Sequence, residues 1–118
     1  MFNVLNGSEI QISRGDTGAI KFTATGYSFE ESDRAMFSVK NGAGTTVFQR
    51  VCAMSNNAFT IYFRNQDTDS LPAGGYNWDV RYVIHPYYDA NGTIVDGDQV
   101  ITPKLPQSLT LLTVVGEI

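Results

Sequence analysis

The chain has 118 residues and a mass of 13.0 kDa, enough to bury one real core and too little for a core plus a second domain, so a single domain over 1–118 is expected. A hydrophobic content of 42% excludes a disordered tail. The net charge of −4, with the eight basic residues scattered, argues against a nucleic-acid partner, which needs a dense basic patch to displace phosphate counterions.

Val, Ile, Thr, Phe, Tyr and Trp number 43 against 34 for the strong helix formers Ala, Leu, Met, Gln, Glu, Lys and Arg, which favours a β-rich domain over a helical bundle. In chain order, Ile10 and Ile12 alternate with Glu9, Gln11 and Ser13, and the turn 14–18 follows. Ile20, Phe22 and Ala24 then alternate with Lys21, Thr23 and Thr25. A polar loop over 26–33 leads to Ala35, Phe37 and Val39, which alternate with Met36, Ser38 and Lys40. Asn41-Gly42-Ala43-Gly44 predicts a hairpin, because Asn and Gly accept the positive φ of a tight turn. The return strand over 45–52 alternates less cleanly, as an edge strand does. Phe59, Ile61 and Phe63 form the next alternating segment.

The connection 65–75 carries a short helical turn near 67–71, with Asp67 as cap and Pro72 ending it. The strongest strand follows, with Tyr76, Trp78, Val80, Tyr82 and Ile84 on one face. The segment 85–98 reads as a long hairpin tip or a short β-excursion, with turn signals at Asn91-Gly92 and Asp96-Gly97. Val100 and Ile101 resume a strand that Pro103 and Pro106 interrupt. The last strand, 108–115, is apolar on both faces, as suits a strand buried between layers or in an assembly contact. The expected fold is an all-β, Ig-like antiparallel β-sandwich of seven to eight strands with at most one short helical turn.

Chemistry-bearing motifs are sparse. The single Cys52 cannot form an internal disulfide, and a reducing compartment fits it. The only histidine, His85, cannot build a metal site alone. Asp67, Asp69, Asp89, Asp96 and Asp98 have the oxygen chemistry of calcium loops. The downstream bidentate Glu of such a loop is absent, and Asp, Asn and Gly are ordinary turn residues, which is the reading adopted. Arg14-Gly15-Asp16 is likewise read as a turn between the first two alternating strands rather than an integrin ligand. No phosphate-binding Gly-rich loop, nucleophile elbow or His-Glu-x-x-His is present, so neither catalytic residues nor a metal or other cofactor are expected.

Two sets of residues could make contacts. Tyr27, Phe29, Tyr87 and Tyr88 fall in predicted loops, where aromatics stack on sugars, anchor a protein interface or cap the open ends of a core. Leu109, Leu111, Leu112, Val114 and Val115 form the two-faced apolar strand, a candidate assembly surface or equally a central core strand.

The run from Asp67 to Tyr82, containing Asp67-Thr68, Leu71 and Gly75-Tyr76-Asn77-Trp78-Asp79-Val80, resembles a signature of small Ig-like phage and prophage structural domains, including the N-terminal domains of baseplate upper proteins. Ile12-x-Arg14-Gly15-Asp16-Thr17-Gly18 with Ile20 and Phe22 is similar to the usual beginning of such domains, as is Asp33-x-Ala35-x-Phe37-Ser38-Val39-Lys40. Asp96-Gly97-Asp98-x-Val100-x-Thr102-Pro103 followed by 109–116 resembles their closing strands. The resemblance covers about residues 10–116. It implies a non-enzymatic virion building block of tail or baseplate type, made in the bacterial cytoplasm. Its implied partners are other virion structural proteins and further copies of itself. No stretch approaches the length of about 20 apolar residues that spans a membrane, and residues 1–18 show no signal-peptide pattern. The alternative expectation is an adhesin or carbohydrate-binding module using the loop aromatics.

Overall fold

The computed structural model describes residues 2–5, 9–24, 26–102 and 107–112. Among them the chain forms β1 (Phe2–Leu5), β2 (Glu9–Ser13), β3 (Gly18–Thr23), β4 (Arg34–Lys40), β5 (Thr46–Ala53), β6 (Ala58–Phe63), α1 (Asn65–Thr68), β7 (Gly74–Tyr88), β8 (Ile94–Ile101) and β9 (Gln107–Leu112). The fold is all-β and sandwich-like. A large sheet runs β1-β2-β9-β7-β4-β5 with β8 also beside β7, and a small sheet pairs β3 with β6. Strand β1 has no counterpart in the sequence-based expectation.

The period-2 patterns fix what faces inward. Ile10 and Ile12 of β2, Ala35, Phe37 and Val39 of β4, Tyr76, Trp78, Val80 and Tyr82 of β7, and Leu109 and Leu111 of β9 are buried against Phe59, Ile61 and Phe63 of β6, with Ile20 and Phe22 of β3 packed on the same cluster. A two-stranded sheet is marginal by itself. The small sheet holds through its aromatics: Phe22 stacks on Phe59 at 5.1 Å between ring centroids and lies 5.2 Å from Trp78, while Phe63 meets Phe37 edge-on at 5.7 Å.

The predicted turns hold in part. Asn41 Oδ1 accepts the backbone N–H groups of Ala43 and Thr45, both at 3.0 Å, and closes the β4–β5 hairpin, which leaves β5 on the sheet edge as its weaker alternation implies. The helical turn begins earlier than expected, at Asn65, with Arg64 at the N-cap and Asp67 inside the turn. Asp67 still serves the helix start, because its Oδ2 accepts the Arg64 N–H at 2.7 Å.

Arg14-Gly15-Asp16 is packed into that same region. The Gly15 N–H donates to Thr68 Oγ1 at 2.9 Å, Asn65 Nδ2 donates to the Gly15 carbonyl at 2.9 Å, and an Arg14 guanidinium N–H donates to the Asp69 carbonyl at 3.1 Å. These contacts make it the structural turn that its Gly suggests.

Three expectations are corrected. First, the pairing is not wholly antiparallel: β2 runs parallel to β9, with Ile10 opposite Leu109 and Ile12 opposite Leu111. Parallel neighbours need no tight turn between them, so strands distant in sequence can meet this way. Second, Tyr87 and Tyr88 are not in a loop: of the two readings of this segment the β-excursion holds, and they lie at the end of β7. Third, Asp96-Gly97 lies within β8 and is not a turn. The hairpin turns earlier, where the Asp89 N–H donates to the Thr93 carbonyl and the Gly92 N–H to the Asp89 carbonyl.

Strand β7 organises the rest. On one edge it pairs with β4 over 77–83. On the other it pairs with β9 over 74–78 and with β8 over 82–88. Strands β8 and β9 therefore lie end to end along one edge of β7. Residues 84–88 have no β4 partner, and with 94–99 they form a two-stranded arm that extends past the sheet. The molecule is correspondingly long, 49 × 32 × 22 Å.

Candidate functional site

The arm is joined to the sandwich at His85. Its backbone is in the left-handed region, φ 47°, which non-Gly residues seldom adopt in a strand. Beside that kink, Gly97 of β8 lies against the Val83 side chain of β7. A Cβ placed on Gly97 would stand 2.5 Å from Val83 Cγ1 and 2.8 Å from the Ile84 carbonyl oxygen. Val83 points away from the sandwich core, yet it is only 2% exposed because the arm covers it.

Asp33 fixes the kink. This carboxylate is 2% exposed, and each of its oxygens accepts a backbone N–H: Oδ1 from His85 at 2.9 Å and Oδ2 from Glu30 at 2.7 Å. The Asp33 N–H returns to the Glu30 carbonyl at 3.0 Å. Two charge-assisted hydrogen bonds to backbone are what allow a carboxylate to be buried at this point. One side chain thus ties the loop 26–33 to the hinge of the arm.

The His85 ring lies between two carboxylates. Its Nε2 is 2.8 Å from Glu30 Oε2, and its Nδ1 is 2.9 Å from Asp98 Oδ2. The Tyr87 hydroxyl donates to the other Asp98 oxygen. Hydrogen bonding to Glu30, then to Asp98, raises the His85 pKa above its ordinary value. The Tyr87 hydroxyl, then His85, holds the Asp98 carboxyl below its ordinary value. Hydrogen bonding to Asp98 raises the Tyr87 phenol. Beside this cluster an open groove of about 380 Å³ is lined by Ser32, Arg34, His85, Pro86, Tyr87 and Tyr88.

The aromatics singled out in the sequence fare differently. Tyr87 and Tyr88 are about half exposed and border the groove. Phe29 is turned inward, 8% exposed and 4.9 Å from the Tyr82 ring, and Tyr27 stacks on its outer side at 6.0 Å. Phe29 closes one end of the core, so the four aromatics do not form one exposed platform. Leu109 and Leu111 are 1% and 2% exposed on a strand flanked by β2 and β7, which makes them core residues of the single chain and not a free surface. The Leu112 side chain and residues Val114 and Val115 lie outside the described residues.

Cys52 of β5 is half-buried, and burial pushes its thiol up while Arg50 acts the other way. That direction keeps a thiol protonated. Among the described residues no three His, Cys, Asp or Glu side chains are grouped to hold a metal ion, and no helix is long and apolar enough to cross a membrane.

Glu30, Asp33 and Asp98 were missed as partners of His85. A signal for one of them was present: once Asn91-Gly92 is taken as the hairpin turn, counting outward along the two strands brings Asp98 opposite His85. Nothing in the sequence brings Glu30 and Asp33 to the same place. Comparison with protein-family models, with curated proteins and with solved structures finds no match for this chain.

Proposed function

We propose that this protein is a non-enzymatic building block of a phage or prophage virion, of tail or baseplate type, that acts by assembling with copies of itself and with other virion structural proteins. The virion assignment is supported by the motif resemblance in 67–82 and its flanking segments. The observation that carries the assembly reading is the arm: a two-stranded ribbon projecting from a sandwich, with Tyr87, Tyr88 and Val95 between 49% and 63% exposed. Among the described residues strand β8 pairs only with β7, so its outer edge offers backbone N–H and C=O groups to a neighbouring strand. Exposed tyrosines beside an open strand edge supply large contact area at low entropic cost.

Light scattering at tens of micromolar, together with mass spectrometry of particles purified from a host carrying the gene, tests the proposal. The expected result is self-association that the Tyr87→Ser, Tyr88→Ser, Val95→Ser variant loses, with the chain present in the particles. A strict monomer that is absent from the particles overturns it. A second reading, a carbohydrate-binding or adhesin module, is favoured by one observation: the groove sets Tyr87 and Tyr88 beside the hydrogen-bonding side chains of Ser32, Arg34 and His85. Glycan binding abolished by Tyr87→Ala, Tyr88→Ala would select that reading.

A further inference from the structure

We propose that His85, gripped by Glu30 of the loop 26–33 and Asp98 of the arm, is a pH-operated latch that holds the Glu30 side chain to the arm when the ring is protonated and frees it when the ring is neutral, the loop then staying tied to the arm through Asp33 alone. The two carboxylates fix how many protons the ring must carry. A carboxylate only accepts, and both ring nitrogens of His85 face carboxylate oxygens at 2.8 and 2.9 Å. Only the imidazolium donates from both nitrogens. A neutral ring has one N–H, so one of its nitrogens would point a lone pair at a carboxylate, and that contact becomes repulsive.

The structure also determines which contact gives way. Asp98 is held across from His85 by the β7–β8 ladder, where Ile84 pairs with Gln99 and Pro86 with Gly97 on either side, and it is held again by the Tyr87 hydroxyl. Glu30 sits on a loop with its side chain 72% exposed, and no ladder holds it in place. The neutral ring therefore keeps its proton toward Asp98 and lets Glu30 go. The hinge itself stays anchored, since Asp33 holds the His85 backbone N–H rather than the ring. From β4, Arg34 lines the same groove but donates to the carbonyls of Glu31 and Asp33, leaving the two carboxylates to the histidine.

The charged and titratable groups around the ring thus come from the loop (Glu30, Asp33), from β4 (Arg34), from β7 (the neutral Tyr87 phenol) and from β8 (Asp98). The raised His85 pKa agrees in sign. Its contribution is complete below the ordinary imidazole value of about 6.5 and is lost as pH rises through the raised folded value. That of Asp98 is complete above the ordinary carboxylate value and is lost as pH falls through its lowered folded value. The latch is closed between those two limits. Its effect on assembly rests on the function proposed above; the titration of His85 does not.

Because His85 is the only histidine in the chain, its ring resonances are unambiguous. The test is an NMR titration of the full chain from about pH 5 to about pH 9.5, spanning the imidazole range, with amide exchange read at 28–32. The expected midpoint lies above the ordinary value in the native chain and falls in both Glu30→Gln and Asp98→Asn. Relative to the intrinsic base-catalysed rate at each pH, amide exchange at 28–32 should rise about two- to fivefold across the same midpoint, the range that exposed ion pairs give. A midpoint at or below the ordinary value overturns the latch, as does one that neither variant moves, or loop amides blind to it. A strictly monomeric chain with a shifted, variant-sensitive His85 supports the latch and counts against the assembly reading.

Discussion

Gly97→Ala tests the way the arm is mounted. Gly97 lies outside the left-handed region, so backbone strain plays no part and the added methyl acts by contact alone. It would sit 2.5 Å from Val83 Cγ1 and 2.8 Å from the Ile84 carbonyl oxygen, where carbon atoms settle at about 3.5–4.0 Å. Val83 is β-branched and rotates little, and the carbonyl belongs to the ladder that pairs β7 with β8. Relief requires either compression, at about 1–3 kcal/mol for overpacking, or a swing of the arm that re-exposes Val83, at about 1.5–3 kcal/mol. Against this, Gly→Ala stiffens the unfolded chain and contributes about 0.4–1 kcal/mol in the stabilising direction. The net expectation is a loss of about 1–2 kcal/mol, which for a chain of this size lowers Tm by about 4–8 °C. Differential scanning calorimetry or chemical denaturation reads it. Gly42→Ala is the control, because a Cβ there meets nothing within 4 Å and its φ is also outside the left-handed region. Adding Val83→Ala to Gly97→Ala should recover only part of the loss, since the carbonyl contact remains. A Gly97→Ala chain as stable as the native protein or more so would refute the close mounting of the arm.

The remaining predictions concern the core and two buried carboxylates. Phe37→Ala removes a ring with no exposure that packs on Phe22, Phe48, Phe63 and Trp78, and should cost about 3–5 kcal/mol in urea denaturation. Asp33→Ala strands the backbone N–H groups of Glu30 and His85 and should cost about 2–4 kcal/mol, with the His85 ring resonances moving as the hinge loosens; native stability with an unmoved His85 would count against Asp33 as the hinge anchor. Arg50 grips Asp67 through two hydrogen bonds of 2.9 Å, and the Asp67 side chain is only 7% exposed. Arg50→Ala should therefore cost about 1–3 kcal/mol, below a fully buried pair because Arg50 itself is a quarter exposed. Arg50→Met with Asp67→Asn should be more stable than Arg50→Ala alone, since it leaves no uncompensated carboxylate.

Strands were legible wherever one face meets the core and the other meets water. Ile10 and Ile12, Phe37 and Val39, Phe59 to Phe63, and Tyr76 to Tyr82 all point as their alternation implies, because burial of one face fixes the register. Strand order was not legible. The parallel contact of β2 with β9 joins residues about a hundred positions apart, and no local pattern encodes it. Leu109 and Leu111 illustrate the same limit. An apolar strand has one composition whether its neighbours come from its own chain or another, and only the flanking β2 and β7 decide it. The arm misled for a specific reason. Glycine was read as a turn at Asp96-Gly97, whereas it serves there as the residue small enough to lie against Val83. The candidate site was nearly invisible, since Glu30 and Asp33 meet His85 only because β4 brings the end of the loop alongside β7.

The kink and the latch explain each other. A two-stranded ribbon leaving a sheet is marginal unless something covers one of its faces. Bending at His85 gives the arm a seat on Val83, but places a non-glycine residue in the left-handed region, which costs on the order of 1 kcal/mol. A strain of that kind persists only where the surroundings over-determine it. Here the His85 backbone is held by Asp33, its ring by Glu30 and Asp98, and the opposite strand approaches through Gly97. Of these restraints the two ring contacts weaken on deprotonation near neutrality, and the one to Glu30 has no ladder behind it to hold it in place. Deprotonation should thus loosen the loop while the arm keeps its angle. Replacing His85 by Asn, which tolerates the left-handed region better than most residues, separates the two roles: the arm should stay seated and the pH response of the loop should vanish. An arm that lifts off Val83 in that variant would mean that the ring contacts, rather than Asp33 and Gly97, set the bend.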